Sequence, residues 1–210
     1  NVEMRNRDHK RFASGTISHI YNRGNNKEKI FFDEQDYKAF LLRLGLALGI
    51  EEHELQKEFF LPYSRIRIIG SKKGEFVLHS FCLMPNHFHL LLEQNGNISI
   101  SNLILKICTS YAKYFNKKYS RVGHIFQDQF KSVLIESNEQ LMWVSAYIHM
   151  NPVKDRLVRV PQEYSWSSYR NYVDNRELVI LNTKFLTEII GSNFEKETLA
   201  WVSKGTFDSV

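Results

Sequence analysis

The sequence predicts an α+β fold built on an antiparallel sheet. Three observations indicate it. Short apolar runs show strand-like patterns, longer segments repeat apolar residues at helical spacing, and the turn-forming dipeptide Pro85-Asn86 separates two apolar runs. The resulting order is strand, helix, hairpin, helix, strand, helix. This order is that of the split β-α-β arrangement of ferredoxin-like and RRM-like folds, with helices expected on one face of the sheet. Many functions use this fold, so the fold alone does not indicate the activity.

Local signals set the boundaries of the predicted elements. Asp33 is a candidate N-cap for the first helix. The last helix should end at Asn151, because a residue that precedes proline is pushed out of the α region. The predicted elements are strand 15–22, helix 34–49, a helical extension or an insertion at 51–60, strands 65–69 and 75–84, a strand from His87, helix 97–118, strand 130–135 and a helix from Asn138 to Asn151.

Length and composition favour one globular domain with an appendage. We expect a main domain over residues 1–160, and a C-terminal extension over 161–210 that packs on this domain or contacts its binding partner. No apolar run reaches the length of a transmembrane helix. The N-terminus lacks the apolar core of a signal peptide, and the two cysteines read as reduced core residues, so a cytoplasmic location is expected.

A net charge of +5 and a pI of about 9.1 permit nucleic-acid binding without requiring it. Basic side chains interleave with aromatic ones after residue 110, a mixture that suits single strands because cations contact phosphates and rings stack on bases. The alternative is a solvated helix face with core aromatics. Asn22 and Arg23, at the end of the first strand, could contact DNA or simply form a turn. The candidate DNA-binding residues are Asn22, Arg23, Lys113, Lys117, Lys118, Arg121, Lys131 and Lys154.

A His-Phe-His run follows the predicted hairpin turn. Successive side chains of a strand point to opposite faces, so His87 and His89 project from one face with Cα atoms about 6–7 Å apart. Two imidazoles at this spacing can converge on one metal ion. The alternative is that the two histidines are ordinary polar residues of a strand and bind no ligand.

A second candidate group lies on the last predicted helix. Tyr147 and Asn151 are four residues apart and therefore share one helix face. Asn151 could be the third ligand of an ion held by His87 and His89, and Tyr147 could attack a phosphate that the ion polarises. The chemistry alone leaves rivals, because Tyr111, Tyr114 and Tyr119 lie in the basic segment.

Several motifs together resemble one family, the REP-associated tyrosine transposases, a branch of the single-tyrosine HUH transposases. They cover residues 12–172 in family order. The motifs are Tyr21-Asn22-Arg23-Gly24-Asn25, Leu83-Met84-Pro85-Asn86-His87-Phe88-His89-Leu90-Leu91, Tyr114-Phe115-Asn116, Gly123-His124-Ile125-Phe126-Gln127, Tyr147-Ile148-His149-Met150-Asn151-Pro152-Val153-Lys154 and Tyr164-Ser165-Trp166-Ser167-Ser168-Tyr169.

The resemblance implies an HUH nuclease fold and an enzyme that cuts single-stranded DNA near an imperfect hairpin. It implies a 5′-phosphotyrosine intermediate on Tyr147, metal ligands at His87 and His89, and Mg²⁺ or Mn²⁺ as cofactor. Asn151 stands where insertion-sequence relatives carry a glutamine ligand. The implied partner is hairpin-bearing single-stranded DNA, the active unit a monomer or homodimer, and the location the bacterial nucleoid.

Three other functions fit parts of the same pattern. A domesticated regulator would bind hairpins without cleaving them. A replication initiator or plasmid relaxase would share the histidine motif, but the single tyrosine after the motif and the short chain argue against it. A plain metal-binding or structural protein would lack the salt-sensitive DNA affinity that phosphate contacts produce.

Overall fold

The computed structural model describes residues 13–59, 68–191 and 193–204. Its four strands form one antiparallel sheet in the order β2-β3-β1-β4, which confirms the predicted fold class. Strand β3 lies in the centre of the sheet and β2 at an edge. The elements are β1 (Thr16–Arg23), α1 (Glu34–Ala47), α2 (Glu52–Phe59), β2 (Phe76–Met84), β3 (His87–Gln94), α3 (Ile100–Lys118), β4 (Lys131–Leu134), α4 (Asn138–Lys154), α5 (Tyr169–Val173), α6 (Lys184–Ile190) and α7 (Phe194–Lys204).

The two faces of the sheet are covered by different helices. Phe88 and Leu90 of β3 pack with α1 and α3 in the larger apolar core. Leu91 points to the other face and packs with α4 and the C-terminal helices in a second core. The sequence pattern predicted helices on one face of the sheet. Because β3 is apolar on both faces, both need a cover, and α4 supplies the second.

Most predicted elements match the structure to within a few residues. Helix α1 begins after Asp33, whose side chain accepts a hydrogen bond from the Asp36 backbone in a capping box. The strand predicted at 65–69 falls largely outside the described residues, and its described members, Ile68 and Ile69, are not in a strand. No helix in the described part of the chain is long and apolar enough to cross a membrane.

The predicted end of the last helix was wrong, because α4 continues through Pro152 to Lys154. Proline removes its own N–H from the helix and crowds the carbonyl four residues earlier, but it leaves the carbonyl groups after that point able to accept. The carbonyl of Asn151 still accepts from the Asp155 amide, and that of Pro152 from the Leu157 amide, so the final turn keeps its hydrogen bonds. The helix therefore carries Asn151 and Lys154 rigidly rather than ending at them.

The segment after residue 160 covers the exposed edge of β2. The Leu83 amide donates to the Trp166 carbonyl, and the Ser168 amide donates to the Phe81 carbonyl. The Ser168 hydroxyl also accepts from the Phe81 amide at 2.9 Å. An edge strand with unpaired backbone groups can pair with other chains, and these hydrogen bonds satisfy some of those groups on β2. The same segment joins β2 to α4 through the second core.

Gly45 of α1 lies in close contact with Leu55 and Ile180, which leads to a prediction about stability. In Gly45→Ala, the new Cβ on α1 would lie 2.4 Å from Leu55 Cδ2 and 2.8 Å from Ile180 Cγ2. Overpacking of this kind costs about 1–3 kcal/mol and should outweigh the helix propensity gained by replacing glycine. We expect a lower free energy of unfolding in urea denaturation. Lys38→Ala on the same helix removes only a surface ion pair with Glu34 and should change it by less than about 0.5 kcal/mol. Equal effects of the two substitutions would contradict the packing argument.

Candidate active site

An open pocket of about 630 Å³ lies where the end of β1 and the start of β3 meet the C-terminal half of α4. Strand pairing brings its first wall together, because Tyr21 of β1 lies opposite His89 and Arg23 lies opposite His87. Helix α4 forms the second wall. The predicted site residues that line this pocket are Asn22, Arg23, His87, His89, Lys131, Tyr147, Asn151 and Lys154.

His87 and His89 stand side by side in the pocket, with ring centroids 5.0 Å apart. The Nδ1 atom of His87 is 2.6 Å from Oδ1 of Asn86, so this nitrogen is the donor and Nε2 carries the lone pair. The Nδ1 atom of His89 is 2.9 Å from Nε2 of His19. In both residues Nδ1 makes this hydrogen bond, so Nε2 is the candidate metal-binding nitrogen.

Burial keeps both imidazoles neutral. It lowers the pKa of His87 to about 4, helped by the positive charge of Arg23. Burial also holds the pKa of His89 well below its ordinary value, with further contributions from His19 and His87. At neutral pH both rings therefore carry the lone pairs that a metal ion requires.

The donor set fits a divalent metal ion. Nε2 of His89 is buried and has no hydrogen-bond partner, which is costly for a polar atom unless a ligand satisfies it. Across the described residues, no three His, Cys, Asp or Glu side chains are grouped closely enough to hold a metal. Asn151 lines the same pocket, and its amide oxygen is the candidate third ligand.

Asn151 is held by its own helix. Its Nδ2 atom donates to the Tyr147 carbonyl at 2.7 Å, and the side chain is buried. Its amide also interacts with the His87 ring, where it opposes the lowering of the His87 pKa. With the nitrogen engaged by the backbone, the oxygen is the atom that faces the His87 ring, on the side of the pocket.

Tyr147 is fixed by packing on both sides of its ring. The ring stacks on Trp143 with centroids 5.5 Å apart and meets His89 edge-on, also at 5.5 Å. The Lys154 ammonium lies 5.6 Å from the ring centroid. Burial raises the pKa of the Tyr147 phenol, and the neighbouring Tyr21 adds to this, while Asn151 and Arg23 act in the opposite direction. A phenol of this kind needs a nearby positive charge to ionise as it attacks.

The structure separates the predicted DNA-binding residues into two groups. Asn22, Arg23, Lys131 and Lys154 line the pocket. Lys113, Lys117, Lys118 and Arg121 lie on or just after α3, which packs with α1 on the other face of the sheet.

Two of this second group are engaged in ion pairs. Lys118 bonds to Asp33 and Asp36, both at the start of α1, and Arg121 pairs with Glu28. The Lys118 pairs bridge α3 to the capping box of α1, which is a structural task. Lys113 and Lys117 are exposed on the outer side of α3.

Six residues that line the pocket had no predicted role in the site, and neither had His19, which lies beside His89. The six are Tyr21, Lys27, Gln127, Asp128, Gln129 and Asp155. His19 and Tyr21 alternate on β1 as His87 and His89 do on β3, and their own spacing was the available signal. Asp155 also lines the pocket and follows Asn151 by four residues. The error in the end of α4 hid it, because a helix that stops at Asn151 does not present the next turn.

Known proteins resemble this chain in sequence and in fold. The family model for IS200-like transposases matches residues 55–151, which include both histidines, Tyr147 and Asn151. A protein of Haemophilus influenzae described as a REP-associated tyrosine transposase is 32% identical over 105 residues, which are 45% of this chain and 59% of that protein. The chain thus spans less than two thirds of the length of that curated relative.

A solved structure shares the fold. It is described as a REP-associated tyrosine transposase bound to a REP hairpin, and it aligns with a TM-score of 0.54 and 15% identity. The alignment covers 82% of this chain and 88% of that chain. This likeness shows a shared fold. The family model and the curated relative confirm the resemblance to REP-associated tyrosine transposases that the motifs indicate.

Proposed function

We propose that this chain, which is similar to the IS200-like transposases, cleaves and rejoins single-stranded DNA through a covalent bond between Tyr147 and a 5′-phosphate. One observation carries the proposal. A phenol, two neutral imidazoles and a carboxamide share one open pocket, and Nε2 of His89 is buried there without a partner. A tyrosine nucleophile beside nitrogen and oxygen ligands for a metal ion is an arrangement that supports phosphoryl transfer to the phenol.

We propose that His87, His89 and Asn151 hold a divalent cation. When bound, the cation supplies Lewis-acid stabilisation of the charge on the phosphoryl oxygens. Nitrogen-rich ligands favour Mn²⁺ over Mg²⁺, although Mg²⁺ with water in its remaining positions remains compatible with a DNA substrate. The low pKa values of the two histidines mean that binding displaces no protons from them near neutral pH.

The chain's own residues account for the covalent step. The Tyr147 oxygen attacks the phosphorus and forms a P–O bond, the phenol gives up its proton, and the bond from phosphorus to the 3′ oxygen breaks. The released oxygen takes up a proton and becomes a free 3′-OH. Asp155 lines the same pocket and is a candidate acceptor for the phenol proton. In the reverse step a 3′-OH attacks the phosphotyrosine and restores the strand without an external energy source.

Positive charge around the pocket supports DNA as the partner. Arg23, Lys131 and Lys154 border it, and such charges contact phosphates. We propose hairpin-bearing single-stranded DNA as the substrate, because the solved structure with the shared fold is described as bound to a REP hairpin. All the proposed catalytic groups come from one chain, so we propose that a monomer is able to carry out cleavage.

We also propose the division into a catalytic unit over 1–160 and an extension over 161–210. Its support is the backbone pairing between 166–168 and β2 and the second core between the extension and α4. The extension would then hold the helix that carries Tyr147 against the sheet that carries the histidines.

The test of the metal assignment uses labelled hairpin oligonucleotides and Mn²⁺. We expect a protein–DNA adduct on a denaturing gel that disappears with EDTA and returns with excess Mn²⁺. His89→Ala should reduce adduct formation at limiting Mn²⁺ by about 10²-fold or more, because it removes a ligand. His124→Ala replaces an exposed histidine and is the matched control.

Two outcomes would overturn the proposal. An adduct that persists in EDTA would remove the metal from the mechanism. Tight, salt-dependent binding of hairpins without any adduct would make the chain a DNA-binding regulator instead.

A further inference from the structure

A third histidine lies beside the proposed metal ligands, on a different strand. His19 of β1 is 1% exposed, and its partner across the sheet is Leu91 rather than a polar residue. Its Nε2 atom reaches diagonally to Nδ1 of His89 at 2.9 Å. The two rings also stack, with centroids 5.1 Å apart and planes 22° apart. The proposed transposase function gives this residue no task.

We propose that His19 is a positioning residue for the metal site, and that its Nε2 accepts the Nδ1–H of His89 so that the Nε2 lone pair of His89 faces the pocket. This inference rests on the proposed metal-dependent function of the same pocket. It assigns His19 a role through His89 and no contact with substrate.

Two neutral imidazoles can share one hydrogen bond in only two ways. One ring must donate and the other must accept. If His89 donates from Nδ1, its Nε2 is a lone pair and can bind a cation. If His19 donates instead, the proton of His89 sits on Nε2, where it is buried without an acceptor and blocks a cation. The first arrangement is the one that a metal site requires.

Metal-bound histidines usually donate their second N–H to an oxygen, from a carboxylate, a carbonyl or water. His87 follows this rule with the Asn86 side chain. His89 uses a nitrogen acceptor, which adds no negative charge to the site. The surrounding rings leave little space for water, since His19 also stacks on Tyr21 and meets Tyr147 edge-on. His19 thereby sets both the tautomer and the orientation of His89.

The alternative is that His19 is only a packing ring. Two substitutions separate the roles. His19→Gln places an amide oxygen near the position of Nε2 and keeps an acceptor, whereas His19→Phe keeps a flat ring for stacking and removes the acceptor. His79→Gln is the control, because His79 is buried to the same extent but is bonded to Glu93 rather than to a pocket residue.

The experiment measures Mn²⁺ affinity directly, from the electron paramagnetic resonance signal of free Mn²⁺, without DNA. We expect His19→Phe to weaken binding about 10- to 100-fold, and His19→Gln and His79→Gln to change it much less. In the unmodified metal-free protein, nitrogen NMR of labelled histidines should show His89 protonated at Nδ1. This measurement decides the matter even if His19→Phe does not fold.

The possible outcomes distinguish failure of the His19 inference from failure of the proposed metal-dependent function. Unmodified protein that binds no Mn²⁺ overturns the proposed metal-dependent function, and the inference with it. Unmodified protein that binds Mn²⁺ while His19→Phe binds equally well overturns only the inference. A proton on Nε2 of His89 in the metal-free protein also overturns it.

Discussion

The Tyr147→Phe variant is expected to form no covalent adduct with single-stranded DNA, a loss of more than about a thousandfold, as for the removal of other catalytic nucleophiles. Phenylalanine keeps the ring stacked on Trp143 and edge-on to His89, so the pocket should retain its shape. Only the oxygen that forms the bond to phosphorus is lost. The measurement is the fraction of labelled hairpin oligonucleotide shifted to protein size on a denaturing gel in Mn²⁺.

The matched control is Tyr21→Phe, because Tyr21 is a second phenol in the same pocket. It should still form the adduct. The three tyrosines of the basic segment are excluded as nucleophiles by their contacts. Tyr111 donates to the Ile30 carbonyl, and Tyr114 and Tyr119 donate to Asp36. These hydroxyls lie in or beside the larger core, away from the pocket.

The two variants decide between the phenols. An adduct that persists in Tyr147→Phe and is lost in Tyr21→Phe would move the nucleophile from α4 to β1. Loss in both would point to a shared role of the two phenols. Hairpin binding by native gel shift should be unchanged in Tyr147→Phe, and its loss would show that the substitution disturbs more than the nucleophile.

The parts of the site that local periodicity determines were predictable. His87 and His89 share a face because strand side chains alternate, and Tyr147 and Asn151 share a face because four residues make about one helical turn. Neither relation depends on the rest of the fold. What the sequence could not supply by itself is that both faces meet, which follows from α4 crossing β2 and β3 on the side opposite α1 and α3.

The missed residues depend on contacts between distant segments. His19 matters only through its pairing with β3, and a strand register is not visible in a single strand's pattern. Lys118 looked like a phosphate ligand by composition, yet its ammonium is held by Asp33 and Asp36, 85 and 82 residues away in sequence. A cation in a basic run becomes available for DNA only where the fold leaves it near the site.

Acidification below pH 6.5 is expected to destabilise the protein steeply. Burial lowers the pKa of His149 and His19 to about 3 and that of His87 to about 4, whereas an unfolded histidine titrates near 6.5. At a pH between the folded and unfolded pKa values, these histidines are protonated in the unfolded chain and neutral in the folded chain. The contribution of these residues to the free energy of unfolding is therefore fully present above about pH 6.5. It falls as the pH decreases, by about 1.4 kcal/mol per pH unit for each such residue.

The size of the effect makes it measurable. Three residues of this kind remove about 4 kcal/mol between pH 7.5 and pH 5.5, a large part of the roughly 5–15 kcal/mol typical of a domain. The measurement is urea denaturation across this range, with EDTA present so that no metal stabilises the folded state.

His149 isolates one contribution. It lies in the second core, bonded to the Ser168 hydroxyl at 2.8 Å and surrounded by the rings of Tyr169, Tyr172 and Phe194. His149→Gln keeps a side-chain amide as donor to Ser168 and removes the titrating group, so the loss of stability over the two pH units should shrink by about 1.3 kcal/mol, whatever the substitution does at neutral pH. The exposed His53, replaced in the same way, should leave the pH dependence unchanged. A pH dependence that is flat down to 5.5 would mean that these histidines are protonated in the folded protein, and would contradict the prediction from their burial.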